Sequence, residues 1–271
     1  MCISVNIRVS MFDSIKILGV KVSKLDLGSS RLFVSNLLST GGQHKIFTPN
    51  PEMLVDSQKD SYFRRVLNSA NLNICDGHGI KFLSKKSLSV IHGVDFMLDV
   101  CKIAEQKKCS VFFLGSGSEE VLKKMKTRIK LKFPELKIAG SDVGLKVEIQ
   151  QEGARKMMLK YDEKENEKIL QKIKTSKAQI VFVAFGHNKQ EKWIYENLPK
   201  LSNVKLFMGV GGSFDFISGK VKRAPKILRK IGLEWLYRLI TQPKRFARIF
   251  KATITFSFLI ILNRRRTVRD L

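Results

Sequence analysis

The sequence predicts an α/β protein: a mostly parallel sheet flanked by helices, with a helical, basic appendage at the C-terminal end. Three observations predict it. Short apolar runs such as Val181 to Phe185 and Val204 to Met208 stop at Gly186-His-Asn and Gly209-Val-Gly-Gly212, as strands do when their carboxyl ends carry a ligand site. Such runs alternate with longer stretches of helical period, the pattern of parallel strands joined by crossover helices. From Lys222 the chain becomes basic and aromatic, with Arg229, Trp235, Arg238, Arg245, Phe246, Arg248 and Phe250 closely spaced. The division this predicts is a Rossmann-like α/β core over residues 1–218 and an appendage over 219–271.

In chain order, Ser14 to Val22 predicts a strand and Ser29 to Ser39 a helix. Lys45 to Thr48 is a short strand stopped by Thr48-Pro-Asn-Pro-Glu52. The prolines fix φ and remove amide donors, while Asn50 is a candidate N-cap with Pro51 at the first helical position, opening a helix to about Asn68. Leu72 to Cys75 is a strand ending at Asp76-Gly77, with Gly79 close behind. An acidic residue at a strand's carboxyl end, beside glycines that keep the backbone open, is well placed for chemistry. His92-Gly-Val-Asp95 starts a helix to about Gln106, and Ser110 to Leu114 is a strand entering Gly115-Ser-Gly-Ser118. Those glycines suit phosphate or sugar approach but lack the third glycine of the dinucleotide fingerprint. Val121 to Lys132 is a helix, Leu136 to Ala139 a strand and Gly140 to Gly144 a turn. Glu148 to Thr175, rich in lysine and glutamate, predicts a solvated helix.

Fifty Lys+Arg against 24 Asp+Glu give a net charge of +26 over 271 residues, which implies nucleic acid, an anionic membrane surface or phosphorylated substrates as partners. No recognition helix, zinc finger or aromatic RNA-binding pattern occurs, so no specific nucleic acid is expected; a basic nucleic-acid-binding protein remains the alternative, resting on charge alone. Four cysteines without a Cys-x-x-Cys pair predict reduced thiols in a cytosolic protein. The first twenty residues lack a continuous apolar core and a cleavage site, so no secretory leader is expected. Ala252 to Leu262 is too short to span a bilayer, which takes ~20 apolar residues. Beside Arg264-Arg-Arg266 and the interleaved aromatics it fits a helix lying at an anionic membrane surface, each basic residue contributing roughly 1 kcal/mol.

Taken in order, Thr48-Pro-Asn50-Pro-Glu52, Asp76-Gly77-x-Gly79, Gly93-x-Asp95, Gly186-x-x-Lys189-Gln190-Glu191, Gly209-x-Gly211-Gly212-x-Phe-Asp-Phe216-x-x-Gly219, Arg223-Ala-Pro225, Leu233-Glu-Trp235, Arg238-Leu239 and Pro243-x-Arg245-x-x-Arg248 resemble the WecG/TagA/CpsF glycosyltransferases, glycosyltransferase family 26. The resemblance runs from about Ile17 to Arg248. It implies an inverting transfer of an N-acetylmannosamine-type or related sugar from a UDP-sugar to a polyprenyl-diphosphate-linked GlcNAc-type acceptor. The implied place is the cytoplasmic membrane face, in teichoic acid or cell-surface polysaccharide synthesis, with the protein peripheral there.

By the same resemblance Asp76 is the general base. Thr48, Asn50, Gly77, Gln190, Gly211 and Gly212 belong to the donor pocket. Arg223, Arg238, Arg245 and Arg248 belong to an appendage that folds over the site and contacts the diphosphate. No Asp-x-Asp motif occurs, so a metal-independent reaction without cofactor is expected, with arginines stabilising the leaving group. Two departures stand out: Asn188 where the family commonly has proline, and Val90 to His92 where many members have an arginine. Monomer and dimer are both open, as is a family member without activity that serves as a scaffold. Asp76 could cap a helix, Thr48 and Asn50 could be turn and cap residues, Glu191 supports structure, Asp215 is buried and hydrogen-bonded, Trp235 packs, and His92 and His187 take no role.

Overall fold

The computed structural model describes residues 14–83, 88–241 and 246–269. β1 (Ser14–Ile17) and β2 (Val20–Ser23) form an antiparallel hairpin where one strand was expected. Leu18 and Gly19 both take positive φ, 49° and 78°, which is the type I′ geometry that matches strand twist. α1 (Leu27–Ser39) leads to β3 (His44–Phe47), α2 (Pro51–Lys59) and α3 (Ser61–Asn68). The single helix expected over this last stretch is two, because the Asp60 side chain accepts from Phe63 N–H and starts a new helix where α2 ends. β4 (Leu72–Asn73), α4 (His78–Leu83), α5 (Gly93–Gln106), β5 (Ser110–Gly115), α6 (Glu119–Lys132) and β6 (Lys137–Asp142) follow.

The expected solvated helix over Glu148 to Thr175 is corrected in its first half. There β7 (Glu148–Gln151) and β8 (Met157–Lys160) pair antiparallel, and only α7 (Glu163–Ser176) is helical. β9 (Ile180–Ala184), α8 (Lys189–Asn197), β10 (Leu206–Gly209) and α9 (Ser213–Ser218) complete the core.

Six strands form one parallel sheet in the order β4-β3-β10-β9-β5-β6. Its central strands are buried on both faces, as parallel strands under helices are. Alternate residues divide between two cores: Val181, Val183 and Phe207 face α2, α3, α7 and α8, while Ile180, Phe182 and Met208 face α1, α5, α6 and α9. Because the strands run parallel, the carboxyl ends of β4, β3, β10 and β9 lie side by side, and the loops there are Asp76-Gly77, Thr48 to Pro51, Gly211-Gly212 and Gly186 to Asn188.

The C-terminal segment continues as α10 (Lys226–Lys230), α11 (Glu234–Thr241), α12 (Phe246–Phe250), a π-helical turn over Lys251–Thr255 and α13 (Phe256–Arg269). Phe256 and Ile260, one turn apart, are buried in the core on the α2 side. Phe246, Phe250, Ile254, Phe258 and Ile261 point outward and are at least half exposed. The helix is longer than the apolar stretch in the sequence suggests, and residues Phe246–Asn263 are long and apolar enough to cross a membrane by length and composition.

Candidate active site

Asp76 sits just past β4, and its backbone N–H donates to the Pro49 carbonyl at 3.0 Å, tying its loop to the one after β3. Ile91 N–H donates to the Cys75 carbonyl at 2.9 Å and brings the start of α5 to the same point. The three segments meet tightly. A Cβ on Gly93 would lie 3.3 Å from Thr48 Cγ2 and 3.4 Å from Asp76 Oδ2, so glycine lets the helix N-terminus reach the carboxylate. Gly77 has φ +132° with Pro51 Cδ 3.2 Å from where a Cβ would be, a backbone that side-chain-bearing residues rarely adopt.

The Asp76 carboxylate is a third exposed and opens onto a cleft of about 910 Å³. Asn50, His78, Lys81 and His92 wall it on the core side; Gly232, Trp235, Arg248 and Phe256 close it from the C-terminal segment. His92 Nδ1 lies 3.8 Å from Asp76 Oδ1, and that carboxylate holds the imidazole above its usual range against the opposing effect of burial. The ring of His78 stands 5.8 Å from that of His92, and Gly232 of the C-terminal segment packs directly on it.

Two groups of carboxylates fasten the C-terminal segment on either side of this cleft. At the start of α5, Asp95 receives a fork from Arg223 at 2.6 and 3.0 Å, with Arg229 Nη1 at 3.6 Å. Burial opposes ionisation of Asp95, but the Arg223 fork outweighs it and holds the carboxyl below its ordinary range. On α2, Glu52 accepts from Arg248 Nε at 2.9 and 3.1 Å and from Nη2 at 2.9 Å. One turn on, Asp56 accepts from Lys251 at 2.7 Å and pairs with His187 Nε2 at 2.8 Å. Hydrogen bonds from His187 and Lys251 overcome the burial of Asp56 and lower its pKa as well. Glu52, Asp56 and His187 offer three ligand atoms within 4.8 Å of one another, a spacing that could hold a metal ion; here Arg248 and Lys251 supply the positive charge.

Residues 15–270 match the glycosyl transferase WecG/TagA/CpsF family. The chain belongs to that family. It is similar to enzymes named N-acetylglucosaminyldiphosphoundecaprenol N-acetyl-β-D-mannosaminyltransferase. That of Bacillus spizizenii is 34% identical over 238 residues, covering 84% of this chain and 85% of the relative. That of Bacillus subtilis is 33% identical over 208 residues, 75% and 74% of the two chains, and that of Staphylococcus aureus 30% over 225 residues, 82% and 81%.

As a WecG/TagA/CpsF glycosyltransferase the chain distributes its expected site residues unevenly. Asp76, Asn50, Gly77 and Arg248 line the cleft, and Thr48, almost buried, packs behind Asp76 at Gly93. Asn50 also caps α2, accepting from Met53 N–H at 3.0 Å. Gln190, Gly211 and Gly212 form a separate cluster at the ends of β9 and β10. Gln190 Oε1 accepts from Gly211 N–H at 2.8 Å, and its Nε2 donates to Glu191 Oε1 at 2.7 Å, within 3 Å of where a Cβ on Gly209 would stand. Glu191 is wholly buried, its carboxyl pushed up by that burial, as befits a structural residue.

Arg223 does not line the cleft; its guanidinium forks onto Asp95, close enough to feel the charge of Asp76. Arg238 lies on α11, and Arg245 falls outside the described residues. Trp235, expected to pack, is 43% exposed and lines the cleft. Asp215, expected to be buried and hydrogen-bonded, is a third exposed with Lys220 at 3.6 Å. His92, Glu52 and His187 were given no role by the residues alone. Glu52 closes one of the quoted motifs, and His92 and His187 adjoin Gly93 and Gly186 of two others, which is the signal that could have found them.

Proposed function

We propose that this chain transfers an N-acetylmannosaminyl group from a UDP-linked donor to a GlcNAc-diphosphate-polyprenol acceptor at a membrane surface. The observation that carries this reading is Asp76 at a strand's carboxyl end, open to a cleft that the cationic C-terminal segment roofs, in a chain whose relatives bear the names given above. Asp76 takes the proton from the acceptor hydroxyl as its oxygen attacks the anomeric carbon, and inversion follows from attack opposite the departing UDP. Asn50 and the Thr48 loop line the donor side. Guanidinium groups of the C-terminal segment, Arg248 foremost, stabilise the negative charge that builds on the diphosphate.

Arg248 is held by Glu52 and exchanges part of that contact for the diphosphate when the donor binds. The exposed apolar stripe of α12 and α13 lies in the lipid interface while Phe256 and Ile260 keep the helix on the core. Asp76→Asn removes the proton acceptor with little change in shape. Transfer, followed as UDP release with a lipid-diphosphate-GlcNAc analogue, is expected to fall about 10²- to 10⁴-fold, and unchanged turnover would sink the assignment. The reaction is expected to proceed without a divalent ion. Loss of transfer in EDTA, restored by Mg²⁺ or Mn²⁺, would refute that.

A further inference from the structure

His187 lies outside the cleft lining and has no part in the chemistry above, yet its ring joins two elements that do. Arg248 Nη2 approaches ring Nδ1 at 3.3 Å, and ring Nε2 lies 2.8 Å from Asp56 Oδ2. A guanidinium has only donors, so Nδ1 must accept; a carboxylate has only acceptors, so Nε2 must carry the proton. Both contacts are satisfied together only by the neutral ring protonated on Nε2. A second proton on Nδ1 would aim N–H at N–H and remove the Arg248 contact. The charged groups around the ring are Glu52 and Asp56 from α2, Glu191 from α8, and Arg248 and, through Asp56, Lys251 from the C-terminal helix.

The loop that delivers the ring is unusual. Asn188 takes φ 69° and ψ −38°, a strained conformation that proline's ring forbids.

We propose that His187, as the neutral Nε2–H tautomer, is a positioning residue that links Asp56 to Arg248 and fixes this guanidinium at the cleft wall where a donor's diphosphate meets it. The proposal rests on the cleft around Asp76 being the site of transfer. Glu52 holds Arg248 at Nε and Nη2; the ring adds a second acceptor at Nη2, beside Glu52 Oε2, and stops the guanidinium from swinging outward.

The test uses the full chain with His187→Leu and His187→Gln. Amide hydrogen exchange over residues 246–257 is measured without substrate, and KM and kcat are measured with UDP-N-acetylmannosamine and a lipid-diphosphate-GlcNAc analogue. His187→Leu is expected to speed exchange in that segment and raise the donor KM about tenfold, the size of one lost hydrogen bond to a charged group, with kcat changed less. His187→Gln is expected to restore both, since its amide oxygen can accept from Arg248 while its NH₂ donates to Asp56.

Three results overturn the proposal: glutamine failing as leucine does, leucine leaving exchange unchanged, or faster exchange with an unaltered KM. Asp76→Asn is assayed in parallel. Full transfer by that variant would remove the cleft as the site, while the exchange comparison would still decide whether His187 holds the helix.

Discussion

Lys192 has no exposed side-chain surface, and its ammonium rests on Asp60 at 2.6 Å and on the Met157 carbonyl at 2.6 Å. Burial pulls its pKa below the usual range while Asp60 pulls it back up. Asp60 also caps α3, so one carboxylate holds α8, α3 and the β7–β8 hairpin together. Removing one partner of a buried pair leaves the other charge stranded. Asp60→Ala is therefore expected to cost about 3–5 kcal/mol, read as a fall in thermal midpoint, whereas replacing both residues by apolar ones of similar volume should cost less. At this scale the sequence disclosed the groups that end strands and hid their partners. Asp76 stands next to glycines and could be picked out, but Arg223 finds Asp95 across 128 residues and Arg248 finds Glu52 across 196, separations that no local pattern encodes.

Among the elements, α12 and the π-helical turn are held to α2 mainly by charge. Both Asp56 and Asp95 have folded pKa values below their unfolded ones. Such groups stabilise the structure fully above the unfolded value, about pH 4, and lose that contribution as pH falls through the lower folded value. Acid is thus expected to free the C-terminal segment at both fastenings below pH ~4, seen as new protease cleavage after residues 219–257 while the sheet persists; release beginning near neutrality would contradict the sign.

The elements the sequence disclosed are those with strong periodicity. β5, β9 and β10 were found because buried parallel strands are nearly continuous apolar runs, and β3 because prolines stop it at Thr48-Pro-Asn-Pro. The β7–β8 hairpin was not. Most of its residues are only partly covered, so its lysines and glutamates carry no two-residue period, and its turn signal is the single Gly153 at φ 106°.

Over the whole molecule, a net charge of +26 and the outward stripe of α12 and α13 both favour an anionic lipid surface. Flotation with anionic vesicles is expected to weaken with salt and to fall further in Phe250→Ser/Phe258→Ser, which alters two rings that are 50% and 59% exposed; equal binding to neutral vesicles would argue against the electrostatic part. The parallel sheet follows from alternating strands and helices, whereas its strand order and the length of the last helix depend on packing that neither alternation nor the apolar count can convey. The π-helical turn gives that helix its usefulness. Residues four apart in an α-helix advance about 40° beyond a full revolution, so Phe246, Phe250, Ile254 and Phe258 would spiral round the rod. The wider winding of Lys251–Thr255 takes the excess back and keeps these four side chains in a line. Deleting one residue there would let the turn wind as α-helix with the distal half still in register; deleting two would screw that half round by about 100°, carrying Phe256 out of the core and turning the oily seam away from Phe246 and Phe250.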